Sequence, residues 1–257
     1  MSKSKALILA SEGVTTNLLY HCLSSHFDEV EVMIEANISK RKFLVNRFKK
    51  LGLLKTISQV LFMSFIQPSL NKKSIERQKE IIQSNNRNDT EIPDQNLTYI
   101  NSVNDGFSIE LIKTSNPHYI FVNGTRIISK QVIDSINLPL INIHVGITPK
   151  YRGVHGGYWA LYNNEPELFG TTLHLIDSGV DTGQIIGQVI GKITEKDSFS
   201  TYPIIQYCLG LNLIDRHIEA IKVNQYEPAV SLTQESQLFY HPGICTYLKA
   251  KQKRGIR

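Results

Sequence analysis

Asn142, His144 and Asp181 each stand beside an apolar run, and their side chains complement one another chemically. An amide N–H can donate to an oxyanion as it forms, an imidazole can carry a proton, and a carboxylate can orient the imidazole and take a proton. Leu138 to Ile143 reads as a buried strand, and alternation along it sends Asn142 and His144 to the same side. Thr171 to Ile176 reads as a second strand, with Asp181 in the Gly-containing loop after it. His174 alternates with Leu173 and Leu175 inside that strand and, like His155, is a secondary candidate. Singly, each residue has a structural reading: a strand-end Asn pairing backbone groups, a hydrogen-bonded core His, Asp177 and Asp181 as turn formers. Their joint order favours chemistry. No His, Cys or Asp cluster has metal-ligand spacing, so no metal is expected.

The same stretch contains Asn142-Ile143-His144, Pro149-Lys150-Tyr151-Arg152-Gly153, an apolar segment around Trp159-Ala160-Leu161, and Asp181-Thr182-Gly183. In that order it resembles the formyltransferases that use 10-formyltetrahydrofolate, most closely from about Pro117 to Gly191. The resemblance implies a Rossmann-like α/β fold and formyl transfer to an amine, with Asn142, His144 and Asp181 as the catalytic set. It implies that folate lies against Arg126, Ile127 and Ile128, largely through backbone groups, and against Asp177 and Val180. Gly153, His155 and His174 become weaker candidates for the substrate side.

At 257 residues, 41% hydrophobic and 20% charged, the chain has the make-up of a globular protein with one good-sized core. A net charge of +5 favours anionic ligands only modestly. Cys22, Cys208 and Cys245 are far apart, which argues against a disulfide framework or zinc site and fits a reducing cytoplasm. The apolar core of MSKSKALILASEG is too short for a secretory signal and reads as a first strand, Ala6 to Ala10.

A turn and helix follow that strand, the opening of a doubly wound fold. The turn, Ser11 to Asn17, lacks both G-x-G-x-x-G and a Walker Lys, so a dinucleotide or nucleotide-triphosphate site is not expected. Val30 to Ile34 is a second strand. Residues 39–67 alternate basic and apolar residues at helical spacing, including Phe43, Leu44, Phe48, Leu54, Ile57, Leu61 and Phe65. They read as one or two amphipathic helices, broken near Gly52 and stopped before Pro68. Lys55 and the short apolar length exclude a transmembrane span. Such a segment can lie on an anionic membrane, but packing on the domain or a dimer partner is the favoured reading.

Further expectations are a short helix over 74–83, an exposed loop over 84–96, a strand over 97–100, and a helix over 107–113. A strand over 118–122, another over 184–193 and a helix over 198–223 follow. Residues 224–257 read as irregular, with Phe239, Tyr240, Tyr247 and a basic end, Lys249 to Arg257, that is solvated or touches RNA. The expected organisation is a catalytic domain over 1–197 with a helical insertion at about 39–83, then a C-terminal helix and short irregular extension over 198–257.

Beside the resembled family, the tail is too short for the β-barrel of methionyl-tRNA formyltransferases, and the first turn is a poor match to the phosphate loop of glycinamide ribonucleotide formyltransferases. The expected acceptor is therefore the amine of a nucleotide-linked amino sugar, with the tRNA and ribonucleotide enzymes as alternatives. A non-catalytic relative binding membrane surfaces or RNA is the reading from another class. Nucleic acid is not favoured as a partner, and a homodimer is left open.

Overall fold

The computed structural model describes residues 3–256, the side chains of Lys40, Lys42 and Phe43 excepted; the Phe43 and Arg257 expectations therefore lie outside the described residues. The strands among them are β1 (Lys5–Ala10), β2 (Glu29–Glu35), β3 (Leu97–Ile100), β4 (Tyr119–Asn123), β5 (Leu140–His144), β6 (Arg152–Gly153), β7 (Gly170–Leu175), β8 (Ile185–Ile190) and β9 (Leu238–Phe239). The helices are α1 (Val14–Ser24), α2 (Lys40–Leu51), α3 (Leu53–Leu61), α4 (Gln67–Ser84), α5 (Gly106–Ser115), α6 (Lys130–Ser135), α7 (Gly156–Tyr162), α8 (Tyr202–Lys222) and α9 (Ile244–Arg254).

Seven strands form one sheet in the order β3-β2-β1-β4-β5-β7-β8. The first five are parallel, and β7 and β8 run antiparallel to their neighbours. The strand order reverses between β1 and β4, where open α/β sheets form a crevice beyond the carboxyl ends of their strands. This is a Rossmann-like α/β architecture, the fold the sequence resemblance implies.

Buried parallel strands are apolar on both faces, as the run Ala6 to Ala10 is. On one face Ile8, Ile141, Ile143 and Leu173 pack with α1 and α8; on the other Leu7, Leu9, Val122 and Leu140 pack with Ile109, Ile112 and Val132 of α5 and α6. The α8 residues Cys208, Leu211 and Ile214 are fully buried in the first cluster, so this helix belongs to the core of the sheet. Since Ile141 and Ile143 face that cluster, Asn142 and His144 project to the other side of β5.

Three points in the insertion bear on what the sequence leads one to expect. Gly52 does break it, at φ 77, a left-handed conformation that suits glycine. Pro68, however, does not stop it. A π-helical turn, Phe62–Ile66, leads directly into α4, and Pro68 sits in the first turn of that helix. There its missing N–H costs nothing, and the wide turn relieves the clash a proline ring makes with the preceding carbonyls. One 18-residue helix therefore replaces the short one expected over 74–83. Third, the apolar stripe of α2 and α3 is not buried on the domain. Thr56 and Gln59 face inward while Leu54 and Phe65 are 83% and 70% exposed.

The loop over 84–96 is tied down by Arg87, which donates to Asp215 at 2.6 Å and to Asn212, and by buried Ile92. Helix α6 was not foreseen; Ser129 caps it by accepting from Val132 N. The tail is not irregular either. It forms β9 and α9, and it buries Tyr247 and Ala250 against Phe62 and Phe199. Phe239 stacks on Tyr151 and Trp159. None of the described helices is long and apolar enough to cross a membrane.

Candidate active site

Asn142 and His174 lie directly opposite each other across the antiparallel β5–β7 pair, as do His144 and Thr172. The Asn142 amide nitrogen is 3.1 Å from His174 Nε2, and His174 Nδ1 is 2.7 Å from the Leu175 carbonyl. A carbonyl only accepts, so Nδ1 carries the proton and Nε2 accepts from Asn142. Burial, followed by the nearness of His144, holds the His174 pKa below the usual imidazole value and keeps the ring neutral. One Asn142 N–H is thus fixed on His174 and the other is left to the cleft.

His144 is buried, with Nε2 2.7 Å from the Tyr151 carbonyl and Nδ1 3.4 Å from Asp181 Oδ2. Both ring nitrogens face oxygen acceptors, so an imidazolium here finds a partner for each N–H. Asp181 stands in the loop after β7 at φ 51, and its Oδ2 also accepts from Gly153 N at 2.8 Å. Oδ1 lies 3.7 Å from His174 Nε2, which brings all four side chains into one cluster.

Gly153 is required at its position by close approach as well as by conformation. Its φ is 94, and a Cβ there would collide with the Phe239 carbonyl oxygen. The β6–β9 pairing that results lays the tail over one side of the cluster.

The cluster lies in a cleft of about 560 Å³ at the carboxyl ends of β4 and β5. Ile127, Ile128, Ile176, Asp177 and Val180 are among its lining residues, as are Thr15, Lys50, Gly153, Phe239 and Tyr240. Asn142, His144, His174 and Asp181 line it as well. Arg126 also lines the cleft, but its guanidinium Nε is 2.8 Å from Glu35 Oε1 and it donates to the Ala36 and Asn101 carbonyls. Asp177 accepts from Gly179 N and the Thr182 hydroxyl, as a turn former does.

His155 is not brought to the cleft. It is half-buried before α7, 3.0 Å from His241 Nδ1 and packed on Phe199. Among the described residues Cys22, His26 and Asp215 come close enough to hold an ion, but the Arg87 guanidinium already occupies Asp215.

The sequence profile of the formyl transferase family matches residues 71–203, which include Asn142, His144, His174 and Asp181. The chain belongs to this family. Among curated relatives of this chain, the methionyl-tRNA formyltransferase of Thermodesulfovibrio yellowstonii is 31% identical over 137 residues, 53% of this chain and 43% of the relative. That of Pelotomaculum thermopropionicum is 33% identical over 112 residues, 43% of this chain and 36% of the relative. The matches span less than half the length of these relatives.

Among solved structures, a sugar N-formyltransferase from a Shewanella species superposes with a TM-score of 0.57 at 17% identity, covering 92% of this chain and 76% of that one. The formyltransferase PseJ from Anoxybacillus kamchatkensis, in complex with a UDP-linked formamido sugar and tetrahydrofolate, gives 0.52 at 18% identity, covering 97% and 89%. One from Helicobacter canadensis, with folinic acid and dTDP-3-aminofucose, gives 0.53 at 21%, covering 92% and 70%. These identities make the likeness one of fold.

Sequence reasoning missed Thr15 and Lys50 as cleft residues. Asn123 ends β4 and donates to the Thr15 and Thr16 hydroxyls across the strand-order reversal. Lys50 comes from the insertion, and its only sequence signal is the long stretch without acidic residues around it.

Proposed function

We propose that this chain moves the formyl group of 10-formyltetrahydrofolate to a primary amine on a nucleotide-linked amino sugar. The observation that carries the reading is the convergence of Asn142, His144 and Asp181 in one cleft. The amine attacks the formyl carbon, and the carbonyl electrons move onto oxygen. The free Asn142 N–H is the donor available to that oxyanion, because the two His144 nitrogens already face the Tyr151 carbonyl and Asp181. Asp181 takes the proton of the attacking nitrogen, directly or through water. The C–N bond to folate then breaks, and the folate nitrogen leaves with a proton returned from the His144–Asp181 pair. Ile127, Ile176 and Val180 give the folate ring an apolar wall.

For the acceptor, Lys50 supplies a cation suited to a diphosphate, and Tyr240 a ring on which a base can stack. Structures of the same fold holding UDP- and dTDP-linked sugars support this acceptor class. The test is product formation from 10-formyltetrahydrofolate across nucleotide-linked amino sugars, methionyl-tRNA and glycinamide ribonucleotide, read by mass spectrometry. A formylated sugar is expected; formylation of the tRNA alone would replace the acceptor assignment, as the relatives by sequence suggest.

His174 acts here by holding Asn142. His174→Phe keeps the ring and removes the acceptor, and should lower kcat about tenfold, the worth of one hydrogen bond. KM for folate should change little, and His174→Gln should recover part of the loss. Unchanged kcat in His174→Phe would show that Asn142 needs no anchor.

A further inference from the structure

Among the described residues, α2, α3 and the turn that follows carry many of their apolar side chains outward, while Phe62 is buried. Leu44, Val45 and Phe48 on α2 are exposed, as are Leu53, Leu54, Ile57 and Leu61 on α3 and Phe65 beyond it. On α3 the spacing of 53, 54, 57 and 61 makes one face of a helix. The opposite face is the polar one, and it is the one that docks: Gln59 accepts from Arg47 and donates to the His241 carbonyl, each at 2.5 Å. The apolar side chains of α3 are therefore left exposed and, with those of α2 and Phe65, they are spread over three successive elements.

From Ala36 to Ile75 there is no Asp or Glu, while Lys and Arg number nine. That exceeds the +5 of the whole chain, so the remainder is net acidic. Lys49, Lys50 and Lys55 are exposed beside the apolar side chains. A two-fold interface between copies sets the same patch against itself, and here it would bring the two basic stretches together with no acid to offset them. A flat apolar face among unpaired-sign charges instead matches a bilayer interface whose headgroups are anionic.

We infer that α2, α3 and the turn Phe62–Ile66 dock this protein on an anionic lipid bilayer, with Leu54, Ile57 and Phe65 entering the acyl boundary and Lys49 and Lys55 meeting the headgroups. Lys50 on the same helix lines the cleft, so docking brings the cleft mouth beside the membrane surface.

The experiment is flotation of the full chain with vesicles of phosphatidylcholine alone and of equimolar phosphatidylcholine and phosphatidylglycerol, alongside sedimentation velocity without lipid. Binding to the anionic vesicles only, by a monomer, is expected. Lys49→Gln and Lys55→Gln should each weaken it about fivefold, the worth of one basic residue near such a surface. Leu54→Glu with Phe65→Glu should abolish it while leaving the thermal melt unchanged, since both positions are exposed. Equal binding to both vesicles would overturn the electrostatic half. No vesicle binding would overturn the inference, whether the protein stays monomeric or self-associates through a contact that Leu54→Glu removes.

Discussion

Asp181→Asn should lower formyl transfer about a thousandfold, within the range that a positioned acid–base group contributes, and His144→Ala should do the same. The Asp181 variant is the cleaner one. An asparagine keeps an oxygen to accept from Gly153 N, and Asn tolerates the left-handed conformation at φ 51, so the loop should hold its shape. What it loses is the charge facing His144 Nδ1 and the capacity to take the amine's proton. In His144→Ala the cavity is lined partly by the Tyr151 carbonyl, which loses its donor, so some loss of stability accompanies the loss of turnover. Single-turnover rates with a thermal melt of each variant separate the two effects. A folded Asp181→Asn protein that turns over at nearly the normal rate would remove Asp181 from the chemistry.

The two halves of this site differed in how far sequence alone could reveal them. Strand-end alternation put Asn142 and His144 on one side of β5, because a period of two leaves no other choice. The runs Ala6 to Ala10 and Thr171 to Ile176 were legible for a similar reason: buried strands are short, apolar and bounded by turn residues. Lys50, by contrast, reaches the cleft from an insertion 75 residues before Thr125 in the chain, and no periodicity records where a surface lysine ends up. Amphipathic spacing in α3 established that there was a stripe but not which way it faced. Gln59 and Thr56 point inward because Arg47 and the His241 carbonyl satisfy Gln59, and the latter lies 182 residues away in sequence. Helix α9 was missed because its pattern, ICTYLKAKQKR, is mostly polar; it buries Tyr247 and Ala250 against aromatic residues contributed from the insertion and the loop before α8. His155 looked like a site residue by proximity to Gly153, but the turn between them carries its ring to the tail.

Acid should loosen that tail before it unfolds the sheet. His241 and His155 face each other at 3.0 Å, so one nitrogen donates and the other accepts, and the accepting ring must stay neutral. Burial first, and then the Arg47 guanidinium, push His241 down to about 4, and burial and His241 push His155 well below the usual imidazole range. A histidine whose folded pKa lies below its unfolded value takes up a proton on unfolding, so it stabilises the fold at pH above about 6.5 and loses that contribution as pH falls towards 4. For His241 the difference amounts to about 3 kcal/mol, a large share of a domain's stability. The loss should be local, because the same segment carries the Gln59 contact to the His241 carbonyl and the Trp159 Nε1 donation to the Tyr240 carbonyl at 3.0 Å. Hydrogen exchange is the suitable measurement: amides of α9 and α3 should lose protection between about pH 6.5 and pH 4 while those of β1 and β4 keep theirs. His241→Phe has no proton to gain, and it should flatten the pH dependence in α9 and leave a smaller residue from His155. If wild type and His241→Phe lose α9 protection along the same curve, the carboxylates elsewhere set the acid sensitivity and the histidine pair does not.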